Sequence, residues 1–520
     1  LDVSADVAVR EAGAYEAPAG SFGDITLADD ATVIGTGVED VSVGLRLGYD
    51  LTPRYRVYGS FDRYEAQNSG FGAVAPAAYA PDQPSIDIRY PDQRFARATI
   101  GLAGTDLRTP IADRVEATGY VQDNERTLTF GLFQSFGPQA PPGAGITIDQ
   151  WNFTDLHTLG FRIEAKKLAS EALLFTYGID FTRDGAEGSD SSVTTISGFG
   201  PPQQEVSTRP QIPNAFFRSL GAFAQGEVTV GRATVVVGGR VQGYHAETEP
   251  TAGLDIEPAS KTNRTVVGSA NAVYALSDHI SLIGTVGRAF RSPNLIEYFF
   301  DGPTPEGNGY QIRSPDLQPE TSLNVDLGAR YRDRRLAFEA FVFRNSVRDG
   351  IRIEATGTEI DGLPAFRNVN VDELLYRGVE LNGELLLPRG FSIGGGFTAI
   401  ESDNERDPEI PIGETYSSKL TGALRYRHPG GRFWVEYAVR HNGEQKDVVL
   451  DENPIGDVLP AFTVHSARAG VTLLRSGPFS HRLGLTVHNL TDTLYAESSN
   501  ASFFRPEPGR SVIITYDVSF

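Results

Sequence analysis

The chain of 520 residues contains no cysteine, no methionine and only 2 tryptophans. Without cysteine there is no disulfide, no thiolate metal site and no cysteine nucleophile. Without methionine, Leu1 reads as the start of a processed or partial chain, and no signal peptide stands in this numbering. No run approaches the roughly 18 consecutive apolar residues of a membrane helix. A helical membrane protein is thereby excluded. A membrane β-barrel is not, because alternation dilutes its apolar signal. Basic residues are also scarce: 46 Lys and Arg face 67 Asp and Glu, a formal net charge of -21. That balance argues against a nucleic-acid partner. No nucleophile elbow, P-loop, zinc motif or paired-carboxylate signature occurs, so no enzyme is expected.

What the chain does have is alternation. The last ten residues, SVIITYDVSF, place Val512, Ile514, Tyr516, Val518 and Phe520 at every second position. The same period runs through Leu1–Val9, Val41–Tyr49, Leu323–Tyr331 and Phe433–Val439, with full charges such as Asp326 and Glu436 on the polar face. Alternation means that the two faces of a strand meet different surroundings. A soluble sandwich and a lipid-embedded barrel both satisfy that, so the connections must arbitrate.

The connections take turns between two kinds. Short turns fall at Leu51–Arg54, Leu168–Glu171, Val230–Arg232, Leu276–His279, Asp333–Arg335, Pro388–Gly390 and Pro429–Gly431. Between them lie long Gly/Pro/Asp/Asn-rich segments: 14–37, 65–95, 123–154, 187–216, 246–261, 293–319, 346–371, 402–415, 442–460 and 496–508. Short turns at one end and long loops at the other mark an outer-membrane barrel. A sandwich would mix its loop lengths, and long structureless loops count against a compact domain. The expectation is all-β: one large antiparallel transmembrane barrel of about 20 strands over 1–520. Its last strand is expected to close against the first, because closure removes sticky edges.

Five segments occur in order: GRAFRSPNLIEYFF (Gly287–Phe300), RSPDLQPETSLNVDLGARYR (Arg313–Arg332), YRGVELNGEL (Tyr376–Leu385), HNLTDTLYAE (His488–Glu497) and FFRPEPGRSVIITYDVSF (Phe503–Phe520). Together they resemble the TonB-dependent outer-membrane receptors. The residues carrying the likeness are Phe290, Pro293, Pro315, Leu317, Pro319, Glu320, Gly378, Glu380, Asn489, Asp492, Tyr495, Pro508, Gly509, Arg510 and Phe520. Read physically, each also shapes a turn or starts a strand, which is the ordinary business of Pro, Gly, Asn and Asp.

The resemblance implies a 22-stranded barrel, a globular plug ahead of it and energy from TonB. By loop parity Leu1–Arg10 stands as the family's third strand. The plug, the TonB-binding segment and the first hairpin are therefore expected on polypeptide outside this chain. The implied role is capture and import of a scarce, bulky solute, a ferric siderophore first, across a lipid and lipopolysaccharide membrane. A passive porin-like channel and a surface-exposed binding or structural barrel are the alternatives.

Capture of a bulky chelate favours aromatics and arginine. Loop 293–319 with its flank offers Arg291, Tyr298, Phe299, Phe300, Tyr310 and Arg313; the last loop offers Phe503, Phe504 and Arg505; loop 123–154 offers Trp151 and Phe153. The competing reading of each ring is a girdle or loop packing. Of the eight histidines none lies in loop 293–319, which disfavours haem, and His488 points to the lumen by parity. Cofactors are not expected. The acidic stretches Glu401–Glu409 and Asp451–Asp457 read as solvated loops before they read as calcium sites.

Overall fold

The computed structural model describes all residues except 82, 211, 256, 305–308, 361, 410, 411, 413–415, 447, 449–454, 478 and 498–503. Twenty long strands dominate it. They are β1 (Asp2–Ala12), β2 (Val38–Thr52), β3 (Tyr55–Gly70), β4 (Ser85–Gly104), β5 (Arg114–Ser135), β6 (Gly145–Ser170) and β7 (Leu173–Ser197). Then come β8 (Ala215–Val230), β9 (Ala233–Thr248), β10 (Ser260–Ala275), β11 (Ile280–Arg291), β12 (Glu320–Arg332), β13 (Leu336–Ile360) and β14 (Leu363–Leu386). The series ends with β15 (Phe391–Asn404), β16 (Ser418–Arg427), β17 (Phe433–Asn442), β18 (Phe462–Ser476), β19 (Phe479–His488) and β20 (Ser511–Ser519). Each pairs antiparallel with the next.

The register sorts side chains into two faces. Val325 is opposite Val286 and Arg344, Leu327 opposite Gly284 and Val342, and Val435 opposite Tyr426 and Ala469. These apolar positions lie on the outside; Leu327 is 59% exposed. The inner face carries ion pairs instead. Arg240 grips Asp180 through two hydrogen bonds of 2.7 and 2.6 Å, and the buried Glu436 accepts from Arg425 and Arg468. A sheet with lipid on one side and water on the other has no conventional core of its own. Outward aromatics gather at the short-turn rim, where Phe391 meets Tyr426 at 4.8 Å, Tyr426 meets Phe433 at 5.7 Å and Phe479 meets Phe520 at 6.4 Å.

The short turns stand where the sequence put them, and two more join β4 to β5 and β18 to β19. Asp333 shows the chemistry: its Oδ1 accepts the amides of Arg335 and Leu336, both at 2.7 Å. These bonds, Leu336 first, hold its carboxyl down at about 2.

Several expected loops are corrected. Much of 65–95, 123–154, 187–216 and 346–371 is strand. β13 and β14 run 25 and 24 residues and stay paired out to Ile360 opposite Leu363. β6, at 26 residues, rises about 85 Å, far more than the roughly 9–11 residues a bilayer requires. Beyond the membrane, backbone amides still need partners, so hairpins continue into solvent even through Gly- and Asp-rich sequence.

Closure is the second correction. β1 pairs only with β2, and β2 is occupied on its other side by β3; β20 pairs only with β19. Among the described residues no ladder joins β1 to β20. The two ends are tied at the outer rim instead. Segments following β1 and preceding β20 pack into one apolar cluster that includes Phe22, Ile25, Leu27, Val33, Leu459, Phe462, Tyr495 and Phe504. Backbone bonds stitch it together: Asp24 N–H to Ile455 O at 2.7 Å, Val74 N–H to Phe504 O at 2.9 Å and Gly509 N–H to Glu16 O at 2.9 Å.

Candidate functional site: the outer loops and the lumen wall beneath them

Two knots of side chains organise the outer end, and both are built from the family-like segments. In the first, a five-residue helix (Leu295–Phe299) follows β11. Asn294 and Glu297 form a capping box, each side chain accepting the other's backbone N–H at 2.8 Å. Glu297 also binds Arg291, at 2.9 and 3.0 Å, and Arg291 donates as well to Glu320. Glu320 in turn accepts the amide of Ile351 at 2.7 Å, so one carboxylate joins three segments. Pro293 is fully buried and Leu317 is 3% exposed. Phe290, at the end of β11, packs edge-on against Tyr244 at 5.4 Å.

The second knot follows β19. Asn489, 2% exposed, donates from Nδ2 to the carbonyls of Thr493 (2.9 Å) and Pro508 (3.1 Å) and accepts the Thr493 amide at 2.9 Å. Asn489 and Asp492 have φ of 46° and 55°, a left-handed bend that Asn and Asp tolerate better than other residues with a side chain. Asp492 accepts the Arg510 amide at 2.6 Å and pairs with the Arg510 guanidinium at 3.1 Å. The amide first, and then the guanidinium, hold its carboxyl below the usual aspartate range. Gly378 and Glu380 lie in mid-strand on β14, Glu380 facing Thr398 across the ladder.

Most candidate ligand contacts turn out to be packing residues. Tyr298 (1% exposed) and Phe299 (0%) form a small core with Ala215, Ala246 and Leu317. The Tyr298 hydroxyl accepts from Asn263 at 2.8 Å. Phe300 and Tyr310 are buried too, and Tyr310 donates to Asp301 at 2.7 Å. Phe504 (0%) stands edge-on to Tyr79 at 5.8 Å. A ring sealed in a core offers no surface to a ligand. Trp151 and Phe153 are not loop residues: they lie on β6, on the outward face that also carries Leu159 and Phe161. Arg313 is tied to Asp301 at 3.4 Å and to the Glu257 carbonyl at 2.9 Å, and Arg505 is exposed. Phe503 lies outside the described residues, as does 451–454 of the second acidic stretch. Among the described residues no group of three or more His, Asp and Glu is arranged to hold a metal ion.

The space that sequence reading missed lies under the second knot. A cavity of about 650 Å³ opens on the lumen wall between β14 and β20. Asn382, Thr421, Arg440, Ser466, Arg468 and His488 point into it from the strands, and Tyr495 and Glu507 cover it from the loop. Gly396 keeps the wall flat, since a Cβ there would come 2.5 Å from the Asn382 side chain. Arg440 pairs with Glu497 and lies over the rings of Phe462 and Tyr495 at 5.2 and 5.6 Å. Burial lifts the Tyr495 hydroxyl to about 12 and raises the Glu507 carboxyl above the ordinary range. Of these His488 was legible as lumenal from strand parity, and Arg440 as a polar-face residue of its strand. The others come from strands and a loop far apart in sequence. Asn368 was missed for a similar reason: it is buried beside the first knot, donating to the Glu297 carbonyl at 3.1 Å from a hairpin read as loop.

An apolar exterior, a charged bore, short turns at one rim and packed loops at the other define a transmembrane β-barrel of the outer membrane. The chain matches the family described as TonB dependent receptor-like, beta-barrel over residues 30–490, and it belongs to that family. It is a family of receptors, not of enzymes. The chain is 23% identical over 300 residues to the ferric enterobactin receptor PirA of Pseudomonas aeruginosa, a match spanning 52% of this chain and 39% of that protein. It is 30% identical over 142 residues to the iron-regulated outer membrane virulence protein of Vibrio cholerae, spanning 26% of this chain and 22% of the relative. Its fold superposes on the copper transporter OprC with a TM-score of 0.73 at 16% identity, over 100% of this chain and 76% of that one. The matches thus span less than half the length of these curated relatives.

Proposed function

We propose that this barrel is the membrane-spanning part of a receptor that captures an anionic metal chelate, a ferric siderophore, at its outer face and imports it with TonB-derived energy. The observation that carries the reading is the 650 Å³ cavity, with Arg440, Arg468 and His488 on its lumen wall. Its volume falls within the roughly 300–1,000 Å³ usual for small-molecule sites. Arginine beside aromatic rings suits a bulky, negatively charged chelate. A ferric-enterobactin receptor among the relatives supports the same class of solute. Arg313 and the exposed Arg505 are the outer contacts in this scheme. In this reading a plug domain gates the lumen.

The test is binding and uptake by the full-length receptor. Ferric catecholate should quench its intrinsic fluorescence, and Arg440→Gln should weaken that binding by about tenfold. Cells lacking TonB should bind the chelate without accumulating it. Steady ion conduction by the full-length protein in a planar bilayer, with no chelate binding, would establish the passive-channel reading instead.

A further inference from the structure

A second cavity, of about 570 Å³, opens on the lumen wall beside the first. Arg330, Arg332, Glu339 and Glu384 line it from the lumen face of β12, β13 and β14. Asn382 and Gly395 line both cavities, so the two meet there. They lie at different heights. The first reaches Pro508, Gly509 and Ser511 at the outer rim. The second reaches Arg332, the last residue of β12 before the short turn at Asp333. Together they form one trough that descends obliquely along the wall, from the outer rim at β20 to the short-turn rim at β12.

Small residues floor the trough where the cavities meet. Gly394 stands directly opposite Glu384 and Ala423, Ala423 opposite Ala438, and Ala438 opposite Ser466. From β15 to β18 these four lumen-facing positions thus carry nothing longer than a serine. A glycine in mid-strand weakens a sheet, so its presence calls for a reason. The backbone at Gly394 does not supply one. Its φ lies outside the left-handed region, and an added Cβ would meet nothing closer than the Gly383 carbonyl at 3.6 Å. What a longer side chain there would occupy is the passage itself.

The charges change along the way. The outer cavity carries Arg440, Arg468 and His488 against Glu507. The lower one carries two arginines against two glutamates, with Arg330 bound to Glu339 at 3.2 Å. A conducting path must draw a solute in at its mouth and hold it weakly further on, or it does not empty. Excess positive charge above and balanced charge below do this for an anion.

We propose that this trough is the route by which a captured ferric chelate descends through the barrel, with the lower cavity as its exit chamber. The inference rests on the solute reading above and assigns the path to one sector of the wall, between β12 and β20.

The experiment fills the lower chamber and leaves the capture site alone, in cells producing the full-length receptor. Ala337 and Glu384 face each other across β13 and β14. Ala337→Trp with Glu384→Trp places a cross-strand aromatic pair there, an arrangement that sheets accept. The Kd for ferric enterobactin should stay within about twofold of wild type, while the maximal uptake rate falls at least about tenfold. A matched pair on another sector is the control: Ala103 faces Glu116 at the same level of β4 and β5, and Ala103→Trp with Glu116→Trp should import normally. Folding is judged by heat-modifiable migration. Should the double variant fail to fold, Ala337→Trp alone makes the same test. Normal uptake with the chamber filled overturns the path, as does an equal loss in the control pair. Ion conduction by the filled variant in a planar bilayer, absent from wild type, overturns it too, since the loss then comes from a displaced plug. Wild type that binds no ferric enterobactin removes the solute reading and this path with it; wild type that binds and imports it, alongside an unimpaired filled variant, removes only the path.

Discussion

The amide of Gly509 donates to the carbonyl of Glu16 at 2.9 Å, joining the segment before the last strand to the segment after the first. Below that bond β1 and β20 each keep one edge without a ladder. The outer rim is tied, and among the described residues no ladder joins those two edges beneath it.

Amide exchange reads this directly. In the 520-residue chain in detergent, the amides of Ser511–Ser519 should split into two classes. Those bonded to β19 should exchange slowly, and the alternate ones should exchange near the rate of free peptide. Uniform protection along the strand would show that the seam is laddered.

The rim depends on its apolar cluster. Phe504→Ala should cost that cluster about 3–5 kcal/mol, the usual range for a buried phenylalanine. Cleavage by protease within 13–37 should accelerate, while migration of the folded barrel on a gel is unchanged. Loss of the barrel band together with the loop would mean that the two do not unfold separately.

The second knot should be sensitive to acid. Asp492 is held below its ordinary 3.8 by the Arg510 amide and guanidinium. A depressed carboxylate contributes stability that is fully present above the unfolded value and lost as pH falls through the folded one. Protonation of the half-buried Glu507, whose carboxyl is raised, should add stability as pH falls toward about 4, and protease resistance of 489–510 should then drop below it as Asp492 is protonated. Asp492→Asn should be weaker at neutral pH and should lack the acid step. An acid step of equal size in that variant would assign it to another group.

The orientation of the strands is testable on β12. Leu327→Arg places a charge toward lipid and should destabilise the barrel by about 2–4 kcal/mol. Asn324→Arg, three residues away on the lumen face, should cost much less. Urea unfolding in bilayers measures both. Equal effects would remove the distinction between the faces.

Strand alternation, once the connections marked a membrane barrel, assigned Val325, Leu327 and Val435 to the outer face and His488 to the lumen, because the period of two is fixed by the backbone. It also gave the short turns, since Asp333 and its like announce themselves locally. It misjudged 346–371, where Gly and Asp suggested loop but unsatisfied amides kept the hairpin paired to Ile360 and Leu363. It offered Tyr298, Phe299 and Phe504 as contacts, because a ring in a loop looks the same whether it faces a ligand or another loop.

Sequence by itself therefore determined the kind of protein: a lipid-facing barrel with one busy rim, and the five family-like segments. Tertiary structure decided which rings are buried, where the lumen cavity lies, and how the two ends of the sheet are joined. The physical reason is range. Alternation and turn chemistry act over a few residues, whereas burial and enclosure depend on strands brought together from hundreds of residues apart, as Glu16 and Gly509 are.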